Sequence, residues 1–498
     1  MTDTDAQPAP IAFDNSFARE MEGFYSAARP APAQEPRLVA FNRELAETLG
    51  IDASALEGER GARVFTGQEL LPGAEPIAQA YAGHQFGHFV PQLGDGRALL
   101  LGEVVDRDGQ RRDVQLKGSG PTHFSRGGDG LSPLGPVLRE YVVSEAMHAL
   151  GVPTTRALAA ATTGQLVYRE EPLSGAVFTR VATSHLRVGT FQYFAARGEV
   201  DRLRQLADYA LARHDPDLAD AEDRYIRLLA RVRDRQAALV AHWMSLGFIH
   251  GVMNTDNTSI SGETIDYGPC AFMDRFDPET VFSSIDRNGR YCYGRQPRIA
   301  LWNLARLAET LIPLLDADED ASIAKLTSVV EEFGPLYERT WLGRMRSKLG
   351  LTIEVEDDWQ LVQDLHKAMH AGAADFTNTF RSLSAVVRGD DAEFRAQFEG
   401  EGQSELDVWL ERYAERAGRE PLDAEPRASG MDAVNPRFIP RNHKVEEALA
   451  AAATNDDFEP FRRLVAILGD PFGDRSDCEG FARPAPLGDE PYVTFCGT

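Results

Sequence analysis

One stretch of the chain narrows its possibilities more than any other: FIHGVMNTDNTSISGETIDYGP, residues 248–269. An apolar run ends at His250 and Gly251. Asp256 and Asn257 follow in a polar loop, then a short β-compatible stretch, then Asp266, Tyr267 and Gly268. Kinase-type phosphotransfer needs an Asp to orient or deprotonate a hydroxyl and an Asn to hold metal. It also needs a second Asp, before a Gly, to bridge metal and phosphates. All three stand within eleven residues and in that order.

The flanking sequence has the matching order, strand-rich first and helix-rich second. RALLLGEVVDRDGQRRDVQLKG (97–118) has two apolar β-compatible runs around Asp106-Arg107-Asp108-Gly109, a hairpin-turn composition. PLGPVLREYVVSEAMHALG (133–151) reads as a helix, with Val137, Tyr141, Ser144 and Met147 near one face and Gly151 and Pro153 stopping it. A second strand pair is expected around Thr163–Tyr168 and Gly175–Val181. Beyond Asp201, residues Ile226, Leu229, Val232, Leu239, Trp243 and Leu246 carry a helical stripe that ends at Gly247. Further helices are expected over Leu301–Leu315, Trp359–Met369 and Phe461–Leu468. Prolines at 8, 10, 30, 32 and 36 make the first forty residues read as a loose arm with a helical patch near Phe17–Tyr25. The Gly- and Pro-rich end beyond Asp470 reads as a loop or extension.

Four further segments carry candidate residues. In QLGDGRALLLGEV, Gly94 and Gly96 bracket Asp95 before a strand, where backbone N–H groups can approach phosphate and Arg97 can add charge. Alone, such a segment is more often a hairpin turn. Lys117 closes the next strand and Glu140 lies 23 residues on, the spacing of a kinase strand Lys and helix Glu. In isolation, a solvent-facing Lys explains it better. Asp129 and Gly130 precede the Glu140 helix, where capping it and meeting a ligand are equally open. Arg180 and Arg187, seven apart, sit two turns along a helix or at opposite ends of a loop, suited to polyphosphate or to surface ion pairs.

Composition excludes more than it selects. With 77 acidic and 52 basic residues, the net charge of −25 opposes non-specific binding to nucleic acid. His84 and His88 have zinc-helix spacing, but no Glu follows the first, and Gly83 and Gly87 argue against a helix. Four cysteines without CxxC spacing make neither a disulfide scaffold nor a zinc site. No stretch approaches a membrane span, and the first ten residues lack a signal-peptide pattern, so a cytoplasmic location is expected by elimination.

Taken together, YAGHQFGHFVPQLGDGRA, DVQLKGSGPTHFSRGGDG, LREYVVSEAMHALGVPTTRAL, HGVMNTDNTSISGETIDYGPCAFMD and the terminal FCGT resemble the selenoprotein O family, kinase-like proteins that transfer AMP. The resemblance implies an α+β, protein-kinase-like bilobal fold, with a strand-rich N-lobe, a helical C-lobe and extensions at both ends. Its parts would be an N-terminal extension over 1–75, the N-lobe over 76–190, the C-lobe over 191–430 and a C-terminal extension over 431–498. It implies that Asp256 is the proton acceptor, and that Asn257 and Asp266 hold Mg²⁺. Gly94, Gly96, Arg97, Lys117, Asp129, Gly130, Arg180 and Arg187 would surround a flipped ATP, with Glu140 pairing Lys117. Cys496 matches the selenocysteine position of animal members, which implies a redox-sensitive Cys270–Cys496 bridge.

The activity implied is AMP transfer from ATP to Ser, Thr or Tyr hydroxyls of proteins, with pyrophosphate leaving. UTP with Mn²⁺, used by bacterial relatives, is the near alternative. Asp256 adjoins Asn257, and "HG" stands where kinases have "HRD". Both departures weigh against a conventional γ-phosphoryl kinase and would also suit a nucleotide-binding pseudokinase scaffold. The complete Asp256, Asn257 and Asp266 set weighs against a scaffold. A monomer is expected, although sequence leaves the oligomeric state open.

Overall fold

The protein is seen here as a computed structural model, described over residues 9–315, 318–486 and 492–494. Its strands are β1 (Tyr25–Ala27), β2 (Arg37–Phe41), β3 (Ile77–Gln79), β4 (Gly83–Gln85), β5 (His88–Val90) and β6 (Ala98–Val105). They continue with β7 (Arg111–Lys117), β8 (Ser132–Pro133), β9 (Arg156–Tyr168), β10 (Pro172–Ala182), β11 (Phe248–Ile249) and β12 (Ala271–Phe272). An antiparallel sheet runs in the order β1-β3-β6-β7-β10-β9-β2, with β8 on β10. β4–β5 and β11–β12 are separate two-stranded pairs.

The alternation in β7 explains how this sheet carries a polar site. Val114 and Leu116 point to one face and join apolar clusters with Leu99, Leu101, Leu158, Val177 and Val181. Asp113, Gln115 and Lys117 share the opposite face, because side chains alternate along a strand. All three are buried. Register sets Arg180 of β10 directly opposite Gln115, so both side chains fall on that polar face. The β6–β7 hairpin turns where Asp106 to Gly109 predicted. Asp106 Oδ1 accepts from the N–H groups of Asp108 and Gln110, and Gly109 has a φ of 78°.

Helix α1 (Leu134–Ala149) covers the sheet. Helices α2 (Val188–Ala195), α3 (Arg224–Leu246), α4 (Gln296–Leu311), α5 (Phe333–Lys348), α6 (Asp358–Ala371) and α7 (Phe376–Val387) build most of the second half. α3 packs on α4 and α5. It is buried along the stripe the sequence marks, and it stops at Gly247 in a left-handed conformation. Two late helices, α8 (Asn442–Asn455) and α9 (Glu459–Leu468), return to the outer side of α1. Val137, Leu138, Tyr141 and Val142 meet Val445, Leu449, Phe461 and Leu464 there. α1 is thus apolar on two sides, and fully burying each such side chain contributes about 1.5–3 kcal/mol. Among the described residues, no helix is long and apolar enough to cross a membrane.

The structure changes some expectations. The N-terminal arm is built into the fold: β1 pairs with β3, β2 pairs with β9, and Phe17, Met21 and Phe24 are buried. Its prolines shape the connections while these apolar residues pin it down. The helical patch is Ser16–Glu20, and Tyr25 already belongs to β1. Between Asn257 and Asp266 no strand forms; single bridges tie Ser259 to Arg187 and Thr264 to Thr154.

Candidate active site

Where β7, β10, α1 and the 250–269 loop converge, a cavity of about 850 Å³ opens. That is within the usual size for a small-molecule or cofactor pocket. Its wall includes Lys117, Glu140, Arg180, Arg187, Asp256, Asn257 and Asp266.

Asp266 is the hub. Its backbone adopts a left-handed φ of 64°, a strained conformation for a residue other than Gly. One oxygen accepts from Lys117 Nζ and Arg180 Nη1, each at 2.7 Å, and the other from Arg187 Nη1 at 3.3 Å. Although burial opposes ionisation, those three cations hold its carboxyl well below the usual carboxylate range. Glu140 binds the same cations from α1, accepting from Lys117 Nζ at 2.7 Å and Arg180 Nη1 at 3.4 Å. The strand–helix ion pair suggested by spacing is therefore present, shared with Asp266.

Arg180 and Arg187 are neither two turns of one helix nor the ends of a free loop. Arg180 lies on β10, and Arg187 caps the start of α2. Arg187 also donates to the Asp256 carbonyl at 2.9 Å and stacks over Tyr81, 4.4 Å from the ring centroid.

Asp256 differs from Asp266 in kind. Burial pushes its carboxyl up to about 6, only partly opposed by backbone hydrogen bonding, Arg187 and the Gln85 amide. Its Oδ1 is buried without a hydrogen-bond partner. A group poised near neutrality with a bare oxygen can take a proton from a hydroxyl. Beside it, Asn257 donates Nδ2–H to the Val252 carbonyl at 3.0 Å, leaving the amide oxygen as its ligating end. Asn257 and Asp266 offer oxygen donors, the chemistry hard divalent cations prefer. Among the described residues no group of three or more His, Cys, Asp or Glu side chains makes a metal cage. The residues fit a cation that completes its shell with phosphate and water.

The remaining sequence candidates divide. Gly96 and Arg97 line the cavity. Gly94, with φ of 73°, accommodates Phe124, whose ring a Cβ would strike. Asp129 and Gly130 are outside the wall. Asp129 pairs with Arg169 at 2.8 Å and accepts from Leu131 N–H, and the cap position of α1 is Pro133. His84 and His88 sit in the β4–β5 hairpin, as their flanking glycines suggest. Cys270 is buried beside Arg139, which donates to its carbonyl at 2.5 Å; Cys496 lies outside the described residues.

Sequence reasoning missed the residues that align the cations. Gln115 Oε1 accepts from Arg180 Nε at 2.7 Å, while its amide donates to Asp95 at 3.2 Å. Asp95 Oδ1 is buried 3.7 Å from Arg187 Nη2, an ion pair without a hydrogen bond. Burial raises its carboxyl. The signal was available: Asp113, Gln115 and Lys117 recur with period two, alternating with the apolar Val114 and Leu116. α8 and the tail also wall the cavity, through Glu446, Leu449, Ala450 and Tyr492–Thr494.

Relatives match along almost the whole chain. One from Rhizobium rhizogenes is 57% identical over 491 residues, covering 98% of this chain and 97% of the relative. Another from Cereibacter sphaeroides is 58% identical over 488 residues, covering 98% and 99%. A third, from Methylorubrum populi, is 56% identical over 492 residues, again covering 98% and 99%. Each is named protein nucleotidyltransferase YdiU. The chain is an enzyme of the protein nucleotidyltransferase class. The family model described as protein adenylyltransferase SelO matches residues 9–468, and the chain belongs to that family.

Proposed function

We propose that the protein transfers AMP from ATP to Ser, Thr or Tyr hydroxyls of other proteins, with Asp256 as the proton acceptor. The observation that carries this reading is the contrast within one cavity. Asp256 is a raised carboxyl with a bare oxygen, whereas Asp266 is ionised and gathers three cations. The first suits a base and the second a phosphate-binding hub.

In this reading the acceptor hydroxyl approaches the Asp256 carboxylate from the cavity, and that carboxylate takes its proton as the oxygen attacks the α-phosphorus of ATP. The bond from that phosphorus to the oxygen bridging the β-phosphate breaks, and pyrophosphate leaves with the electron pair. Lys117, Arg180 and Arg187 stabilise charge on the phosphates and on the departing pyrophosphate. Glu140, Gln115 and Asp95 hold those cations in place. Asn257 and Asp266 would hold Mg²⁺ or Mn²⁺, which when bound supplies Lewis-acid stabilisation of phosphate charge. Gly94, Gly96 and Arg97 would flank the nucleotide, with Asp129 and Gly130 at its outer margin.

The same reading treats 76–190 and 191–430 as the two lobes of a protein-kinase-like fold, with 1–75 and 431–498 as extensions. A Cys270–Cys496 bridge would tie the tail to the segment after Asp266. Thr494 Oγ1 already donates to the Pro269 carbonyl at 2.7 Å, adjacent to Cys270. Non-reducing mass mapping after mild oxidation checks for the bridge, and finding both thiols free removes it.

The deciding experiment incubates the protein and a protein acceptor with ATP labelled at the α- or the γ-phosphate. Protein-bound label from α-ATP alone is expected, and it vanishes in Asp256→Ala and Asp266→Ala. Label from γ-ATP alone overturns the reading in favour of a kinase.

A further inference from the structure

Beside the cavity runs a shelf of aromatic and guanidinium groups that nucleotide chemistry leaves unused. The β4–β5 hairpin is laid on the loop that carries Asp256. His84 N–H donates to Thr255 Oγ1 at 2.7 Å, and Phe86 N–H to Asn254 Oδ1 at 3.0 Å. Gln192 fastens both sides, accepting from Thr255 Oγ1 at 2.6 Å and meeting His84 Nδ1 at 2.8 Å. A Cβ at Gly83 would collide with Asp256 Oδ1, so the hairpin backbone lies directly against the proposed base.

From there the shelf runs outward. The His84 ring packs against Phe89, centroids 4.9 Å apart, and edge-on against Trp302 at 5.1 Å. Trp302 in turn carries two guanidiniums, Arg290 at 4.9 Å and Arg306 at 5.1 Å from its ring centroid. Phe89 is 40% exposed, a large apolar ring left open to solvent. Stacking occupies the face of a guanidinium and leaves N–H groups at its edge for a carboxylate.

Charge decides what such a shelf receives. In a chain of net charge −25, these two arginines sit together on Trp302, which packs on the hairpin whose Gln85 and Phe86 line the cavity. Arg306 is paired with Glu309. Arg290 has no carboxylate within ion-pair distance among the described residues, and its Nε is buried without a hydrogen-bond partner. Asp286, the acid on its own loop, accepts instead from the backbone N–H groups of Arg290 and Tyr291, at 2.9 and 2.8 Å. The hairpin bonded to the Asp256 loop carries Phe89 and, through His84, meets Trp302, so the shelf adjoins that loop.

We propose that the shelf formed by Phe89, Trp302, Arg290 and Arg306 docks the protein substrate and selects an acidic segment beside the acceptor hydroxyl. Carboxylates of that segment pair with the arginines while an apolar side chain lies on Phe89. This rests on the reading of Asp256 as the base of transfer to protein hydroxyls, so binding and transfer are read separately.

Three fluorophore-labelled peptides, each with one Tyr flanked by Glu, by Gln or by Lys, are titrated onto the full chain and followed by anisotropy. The Glu peptide is expected to bind about tenfold more tightly than the Gln peptide, with the Lys peptide weakest, and added salt narrows the gap. Arg290→Glu, and independently Arg306→Glu, abolish the preference while ATP affinity and melting temperature stay near wild type. Equal binding of the three peptides, or a preference that survives both substitutions, overturns the proposal. So does concentration-dependent self-association that Arg290→Glu abolishes, which would assign the shelf to a second copy of the chain. Label from α-ATP is then followed on the same peptides. Charge-selective binding without transfer sustains the docking surface and sinks the transferase reading; transfer without charge preference does the reverse.

Discussion

Two clusters of buried charge are built from one face of β7, and they behave as opposites. At one end of the strand, Asp113 meets Arg213, whose guanidinium lies between Asp113 at 2.6 Å and Glu103. Tyr209 and the Thr183 carbonyl take further donors from Arg213, and Ser16 and the Phe17 N–H donate to Glu103. At the other end, two residues past Gln115, Lys117 joins Asp266, Arg180 and Arg187. The first cluster is closed and lies off the cavity wall. The second faces about 850 Å³ of open space and leaves Asp95 Oδ1 and Asp256 Oδ1 without a hydrogen bond. Burial of charge therefore does not by itself mark function. What distinguishes the open cluster is that its charged residues line a cavity, whereas those of the closed cluster do not.

The comparison breaks if the closed cluster proves catalytic or the open one merely structural. Asp266→Asn keeps the shape of the hub but removes its charge. Transfer is expected to fall by about a thousandfold or more, with the circular-dichroism spectrum unchanged. Arg213→Met strands two buried carboxylates, a loss of about 3–5 kcal/mol in chemical denaturation, while activity per folded molecule is retained.

A pH test separates the clusters more finely. Burial holds the His185 imidazole at about 4, below its ordinary 6.5, even though Nδ1 lies 2.9 Å from Asp113. Between those pH values the unfolded chain binds a proton that the folded chain refuses, so stability falls as pH drops from 6.5 to 4. His185→Gln should lessen that loss by about 1–3 kcal/mol, read as a shallower change in urea midpoint between pH 7 and 4.5. An unchanged pH slope would mean that His185 is not the titrating group. Gln115→Leu sits on the boundary between the clusters. It leaves Arg180 Nε and Asp95 without their bridge, and ATP affinity is expected to weaken about tenfold. Weakened folding with unaltered ATP affinity would place Gln115 on the structural side.

Much of this was legible before any coordinates. The β6–β7 hairpin, α1 and α3 follow from turn composition, apolar spacing and a terminal Gly, all of which act over a few residues. Asp256, Asn257 and Asp266 stand out in the sequence because kinase-type phosphotransfer calls for those types in one short loop, and the structure brings all three to one cavity. The ion pairing of Lys117 was readable only as one option, since strand and helix are separated by a connection whose path local rules leave open. Arg180 and Arg187 were noticed, but their placement on β10 and at the start of α2 was not. The arm was misread because proline content describes local stiffness, whereas the burial of Phe17, Met21 and Phe24 depends on a surface formed elsewhere.

Residue types and short-range spacing thus determined which elements form and which loop carries Asp256, Asn257 and Asp266, because propensity, capping and alternation are local interactions. Tertiary structure alone decided that three distant cations converge on Asp266, that Asp256 is desolvated to about 6, and that Asp129 turns to Arg169. Those outcomes depend on cross-strand register and on burial by segments far along the chain, and electrostatic energies follow distance and dielectric rather than sequence separation.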